Sequence, residues 1–176
     1  MVKGHRDEIA RFVAFCATMV PDAVAPCGLC LARRSTYVSP TMRQKCYCVC
    51  VPPVVEHPHF RPWLASLPGV VAAKVVDGIE YLRERGRGAV LPDVRHRIQS
   101  SRHFPDMSEV RADLLVDGRR FVMRVLVCFV DGDQTLLVCV GGNKDRYQER
   151  VGRDWYDDYV PAADRVVDSY KKGALR

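Results

Sequence analysis

Asp106-Met-Ser-Glu-Val-Arg-Ala-Asp-Leu-Leu-Val-Asp117-Gly118-Arg-Arg-Phe-Val-Met-Arg124-Val-Leu-Val-Cys-Phe-Val-Asp131-Gly132-Asp-Gln-Thr-Leu-Leu-Val-Cys-Val140 decides the fold. It reads as three strands joined by two tight turns. Asp-Gly between β-branched runs is a strong hairpin signal, because both central residues of a type I′ turn need positive φ. Two such turns in succession predict an antiparallel meander. In the middle strand Phe121, Met123, Val125, Val127 and Phe129 share one face, while Val122, Arg124, Leu126 and Cys128 share the other. Arg124 interrupts an apolar face. A charge there is costly unless it is paired or faces a polar cleft.

The chain around this stretch has 176 residues, room for one cored domain plus an extension. It contains no apolar run of about 18 residues, so no spanning helix is expected. The net charge of +6 fits an anionic partner such as nucleic acid or an acidic protein, and fits equally a plain solvated basic surface. The cysteines divide the chain. Cys16, Cys27, Cys30, Cys46, Cys48 and Cys50 lie in the first 50 residues, whereas Cys128 and Cys139 sit inside predicted strands as small hydrophobes. The expected organisation is an extension over residues 1–45 and a folded domain over 46–172.

In the extension, residues 7–20 carry helical spacing in Ile9, Phe12, Val13, Cys16 and Val20, ended by Pro21. A secretory signal is disfavoured by Asp7, Glu8 and Arg11, and by Pro26 directly after Ala23-Val24-Ala25. Cys27-Gly-Leu-Cys30 with Cys46-Tyr-Cys48-Val-Cys50 raises a zinc reading, since four thiolates can share a tetrahedral ion. The second half has C-x-C-x-C spacing rather than a second C-x2-C, and in a strand that alternation suits packing as well as ligation. The weak candidates are Cys27, Cys30, Cys46 and Cys48, and the leading expectation is no cofactor. Residues 21–45 also read as a loose extension or as sequence upstream of a start at Met42. The cysteine usage and absent signal predict a reducing cytoplasm.

In the domain, Cys46–Val55 reads as a strand confined to an edge by Pro52-Pro53. Pro58–Leu67 fits a short helix. Val70–Arg85 is the best helix: Val71, Val75, Ile79 and Leu82 form a stripe, Val76 widens it and Gly86 stops it. Residues 92–108 are a basic loop, and residues 141–147 a loop whose glycines match no phosphate-binding fingerprint. A last helix is expected to open at Pro161, with Ala163, Val166, Val167 and Tyr170 inward. The predicted fold is α+β: a small, mostly antiparallel sheet in the order β-α-α-β-β-β-α, with two N-terminal helices on one face. The other face, carrying Arg124, is expected to stay partly open.

Residues from about Val55 to Tyr170 resemble the RelE/HigB-like toxin family of bacterial type II toxin–antitoxin modules, in particular its actinobacterial HigB-like branch. Five pieces run in the family's order. His57-Pro-His-Phe-Arg-Pro-Trp-Leu-Ala-Ser-Leu67 resembles the first helix and Val76-Asp-Gly-Ile-Glu-Tyr-Leu-Arg-Glu-Arg-Gly86 the second. Arg97-Ile-Gln-Ser-Ser-Arg-His103 with Met107-Ser-Glu-Val-Arg111 resembles the segment ending in E-L-R, and Met123-Arg-Val-Leu126 the Y-R-V-L strand. Gly142-Asn-Lys144, Trp155-Tyr156, Val160-Pro-Ala162 and Asp164 resemble the closing segment. The stretch between Lys144 and Trp155 is a few residues longer than the pattern, and the first 45 residues have no counterpart.

The resemblance implies a RelE-like fold and a ribosome-dependent endoribonuclease, an mRNA interferase silenced by a cognate antitoxin, often a helix-turn-helix protein. Such chemistry needs no metal. The ribose 2′-OH attacks the adjacent phosphorus, so groups must move two protons and cations must hold the phosphorane's charge. The implied catalytic set is Arg124, Lys144, Arg111, Arg146 and Tyr147, with Arg102, His103, Arg119 and Arg120 as RNA contacts. Each has a plainer reading. Arg124 is read as a bidentate phosphate contact ahead of an ion pair with Glu109 or Asp113. Arg111 divides evenly between RNA and a carboxylate, and Lys144 follows the last strand as a candidate for phosphate or proton work. Arg146 and Tyr147 can be ordinary loop residues, His103 an exposed histidine, and Arg119 and Arg120 solvated turn charges. Trp155 and Tyr156 are read as core or antitoxin contacts ahead of base-stacking platforms. Two other classes stay open: a RelE-fold module that binds antitoxin or RNA without catalysis, and a zinc-assisted nucleic-acid-binding protein.

Overall fold

The computed structural model describes residues 51–174. The expected helix at 7–20, the zinc candidates Cys27, Cys30, Cys46 and Cys48, and the first half of the Cys46–Val55 strand lie outside them. The described elements are β1 (Val54–Glu56), α1 (Phe60–Ala65), α2 (Gly69–Arg85), a 3-10 turn (Gly86–Gly88), β2 (Val94–His96), β3 (Met107–Val116), β4 (Arg119–Val130), β5 (Thr135–Asn143), α3 (Lys144–Val151) and α4 (Trp155–Lys171).

The meander forms as its turn chemistry dictates, with one difference. Asp117 and Gly118 take φ of 49° and 72°, so β3 and β4 pair in unbroken register from Val116↔Arg119 to Met107↔Cys128. The second connection is a longer loop. Val130 pairs with Thr135, and Asp131, Gly132 and Asp133 all adopt positive φ between them. β4 and β5 then run antiparallel with a bulge. Leu126 faces Val140 and Val127 faces Val138, which leaves Cys139 as the extra residue.

Three corrections follow for the expected architecture. The five-stranded sheet has the order β1-β5-β4-β3-β2 and is mixed, because β1 runs parallel to β5. The basic loop contains β2, paired antiparallel with Ser108–Val110, and a further helix, α3, follows the last strand. Most consequential, the face carrying Arg124 is covered. Helix α4 starts at Trp155 rather than at Pro161 and packs Trp155, Val160, Ala163, Val166, Val167 and Tyr170 onto Met107, Leu126, Cys128, Val130, Leu137 and Cys139. Pro161 removes only the N–H that would reach the Asp157 carbonyl. Burial of that apolar stripe outweighs the missing bond.

The opposite face is built as the stripe predicts. Val71, Val75, Ile79 and Leu82 of α2, with Phe60 of α1, pack on Val110, Ala112, Met123, Val125, Val127, Phe129, Leu136 and Val138. Gly78 lets α2 lie close on β3: a Cβ there would come within 2.5 Å of Val110 Cγ1. Gly86 ends the helix with φ of 54°. The Gly141-Gly142 pair, expected in a loop, closes β5 instead. The two glycines admit aromatic rings on both sides of the sheet. A Cβ on Gly141 would meet the Trp63 ring, and one on Gly142 would lie 2.6 Å from Trp155 Nε1.

Candidate functional site

Strand alternation brings a row of charge to the α4 face of the sheet. Glu109, Arg111 and Asp113 alternate along β3; Arg95 on β2 is in register with Glu109, and Arg124 on β4 with Arg111. Arg124 is only 4% exposed. Its Nη1 donates to Asp113 Oδ1 and to the Met123 carbonyl, Nη2 donates to Asp113 Oδ2 at 3.3 Å, and Nε lies 3.3 Å from Glu109 Oε1. Burial alone would depress the guanidinium pKa. The bonds and charge of Asp113 and the charge of Glu109 outweigh that and raise it, so Arg124 stays charged.

Glu109 is fully buried and takes a 2.6 Å hydrogen bond from the Tyr156 hydroxyl. Burial, then that hydrogen bond and the charge of Glu109, push the Tyr156 phenol up to about 12, so it remains protonated near neutrality. Lys144, the first residue of α3, lies with Nζ 4.4 Å from the centre of the Tyr156 ring and 3.7 Å from Asp154 Oδ1. Asp154 also caps α4 by accepting from the Tyr156 N–H. Arg95 is exposed and Lys144 half-buried. The buried atoms Arg111 Nε, Glu109 Oε2 and Trp155 Nε1 make no hydrogen bond among the described residues.

The expected residues thus divide into three places. Arg124, through Glu109, and Lys144 both meet Tyr156 at the N-terminal end of α4, and Arg111 is in register with Arg124. Arg146 and Tyr147 lie beside them on α3, but in other roles. Arg146 is exposed and its backbone N–H is capped by Asn143, while Tyr147 packs edge-on against Tyr159 at 5.4 Å. Arg119 and Arg120 are exposed at the β3–β4 turn, and Arg120 reaches Asp145 at 3.7 Å. Arg102 and His103 stand at the other end of α4. They share Asp168, with Arg102 Nη2 at 2.8 Å and His103 Nε2 at 3.0 Å, and Lys171 Nζ lies 3.3 Å from His103 Nδ1. Tyr156 and Asp168 are twelve residues apart on one helix, roughly 18 Å at the α-helical rise.

Arg102 and His103, expected as RNA contacts, stand apart from the Tyr156 end of α4 by that distance. Their ion pairs tie the loop to α4, together with Ser101 Oγ, which donates to the buried Asp164 at 2.6 Å. Arg124 is held by two carboxylates, the ion pairs weighed beside its phosphate reading. Sequence reasoning named Glu109 and Asp113 only as ion-pair partners of Arg124 and missed Arg95 and Tyr156 as parts of this cluster. The acid–base–acid alternation Glu109-Val-Arg111-Ala-Asp113 was the available signal.

The two buried thiols offer no chemistry: burial pushes Cys128 up to about 12 and Cys139 well above its ordinary value. Among the described residues no group of three or more His, Cys, Asp or Glu side chains could hold a metal ion, and no helix is long and apolar enough to cross a membrane.

No family model matches the chain, and no curated protein matches it. Among solved structures it is similar to a double arginine-to-alanine mutant of the E. coli toxin RelE in the free state. The TM-score is 0.41 and the identity 11%, over 57% of this chain and 98% of that one.

Proposed function

We propose that the chain is a RelE-like toxin that acts on RNA as an endoribonuclease. The observation that carries this reading is the Tyr156 hydroxyl held on Glu109 beneath α4 with Lys144 over its ring, beside a sheet row in which Arg95 is in register with Glu109 and Arg111 with Arg124. Cations around a proton donor are what 2′-OH attack needs. In the proposed step the 2′-oxygen bonds to phosphorus and the P–O5′ bond breaks. Tyr156, held protonated by its surroundings, supplies the proton to the leaving oxygen. Arg111 and Arg95 hold the phosphate. Lys144 holds the phosphorane's charge, and the 2′ proton passes to solvent water. The step as drawn calls for no metal. Ribosome and mRNA are the proposed targets in the cytoplasm, with an acidic antitoxin segment as the partner that neutralises this surface.

A second reading, an inert module that binds antitoxin or RNA, is favoured by one observation: Arg124 is engaged by carboxylates rather than open. Purified full-length chain with programmed ribosomes separates the two. The enzyme reading expects mRNA fragments with a cyclic or 3′-phosphate end, reduced about a hundredfold or more by Lys144→Ala, the scale for losing one stabiliser of transition-state charge. Ribosome or RNA binding with no fragments would leave only the binding module.

A further inference from the structure

The two carboxylates on Arg124 are not equivalent. Glu109 is 1% exposed in its side chain, lies against the inner edge of the guanidinium and is itself held by Tyr156. Asp113 is 48% exposed in its side chain, yet both its oxygens cover the outer fork of a guanidinium that is 5% exposed. Asp113 therefore sits between Arg124 and solvent, with two oxygens on one centre, which is how a phosphate meets an arginine. It carries one negative charge, as a phosphodiester does. Its surroundings suit an incoming anion, since Arg111 stands in register with Arg124. There is also room for Asp113 to leave. Strand β2 pairs only with Ser108–Val110, so among the described residues no strand flanks β3 at Asp113 on the edge away from β4.

We propose that Asp113 is a built-in stand-in for a phosphodiester: it masks the Arg124 fork in the free chain, and an RNA phosphate displaces it. The identity of the anion as RNA rests on the function proposed above; the masked anion site does not. Glu109 stays on the inner edge throughout, so Arg124 never stands as an isolated buried charge. One anion leaves the fork as another arrives, and the exchange conserves charge.

The test compares the full chain with Asp113→Asn and with Asp113→Asn/Arg124→Lys, which keeps a cation for Glu109 but removes the fork. Should Asp113→Asn fold poorly, Asp113→Ser takes its place. Two probes are read: inorganic phosphate, by the rise in Tm over chloride at equal ionic strength, and a labelled single-stranded oligoribonucleotide, by polarisation. With the mask neutralised, phosphate stabilises the single variant more than the wild type. RNA binding tightens roughly tenfold, the scale of one charged hydrogen bond. Its salt dependence steepens by about 0.7 in log–log slope, the value for one more phosphate contact on a single strand. Both gains disappear in the double variant.

A folded Asp113→Asn protein that binds phosphate no better than the wild type overturns the inference. So does a gain that persists undiminished with Arg124→Lys, since that would be loss of general negative charge rather than release of the fork. An Arg124-dependent gain for phosphate with no RNA binding upholds the masked site and removes the RNA reading instead.

Discussion

Arg124 Nε and Glu109 Oε1 face each other at 3.3 Å beneath α4, and the Tyr156 hydroxyl completes the contact from the helix side. Removing one partner of such a pair leaves the other charged and dry. Arg124→Met is accordingly expected to cost about 3–5 kcal/mol in denaturant-induced unfolding. Adding Glu109→Gln should recover part of that loss, because the stranded carboxylate is gone, and a double-mutant cycle measures the coupling. Tyr156→Phe leaves Glu109 short of one donor and should cost about 1–3 kcal/mol. At this scale the sequence was partly legible. Arg124 is conspicuous because it breaks an alternating apolar face, and Glu109 and Asp113 were the partners in reach. Strand alternation gives the face on which Arg124 lies but not whether a helix covers it, so the burial of that face could not be read.

Among the elements, β5 and α4 hold the site together. They lie close at Gly142, where a methyl group would strike the fully buried Trp155 indole. Gly142→Ala should lower stability by about 1–3 kcal/mol, the range for overpacking a tight core. Gly141→Ala should cost less, since Trp63 is only partly buried and can give way. Thermal unfolding of the two variants checks the order. Helix α2 was legible from its stripe and its glycine stop, and the first hairpin from Asp117-Gly118. Helix α4 was legible only in its second half. Proline is common at the first helical position, which drew the start to Pro161, while the real start is set by the Asp154 cap and the burial of Trp155. Strands β1 and β2, three residues each, are too short for a period to show.

On the scale of the whole molecule, His96 links stability to pH. Its Nε2 lies 2.9 Å from the Ala89 carbonyl and its Nδ1 2.8 Å from Ser108 Oγ, so the neutral ring can donate to the first and accept from the second. Burial, with the charges of Arg87 and Arg97 added, lowers its pKa below 6.5 against the opposing pull of the Ala89 bond. The folded state thus protonates later than the unfolded one. Above pH 6.5 both are neutral and His96 makes no difference. As pH falls below 6.5 the unfolded chain takes up the proton first, and stability drops until the folded pKa is passed. The Tm should therefore fall as pH drops below about 6.5, and His96→Gln should flatten that part of the profile.

The net charge of +6 did not separate an anion-binding face from an ordinary basic surface; the fold sets Arg95 in register with Glu109, Arg111 in register with Arg124, and Lys144 over the Tyr156 ring. The most direct test of the proposed RNA chemistry is 5′-end mapping of cellular mRNA after brief induction of the full chain, beside a Lys144→Ala version. Codon-phased cuts that vanish in the variant are the predicted result. No new ends, with growth unaffected and the protein folded, would contradict it.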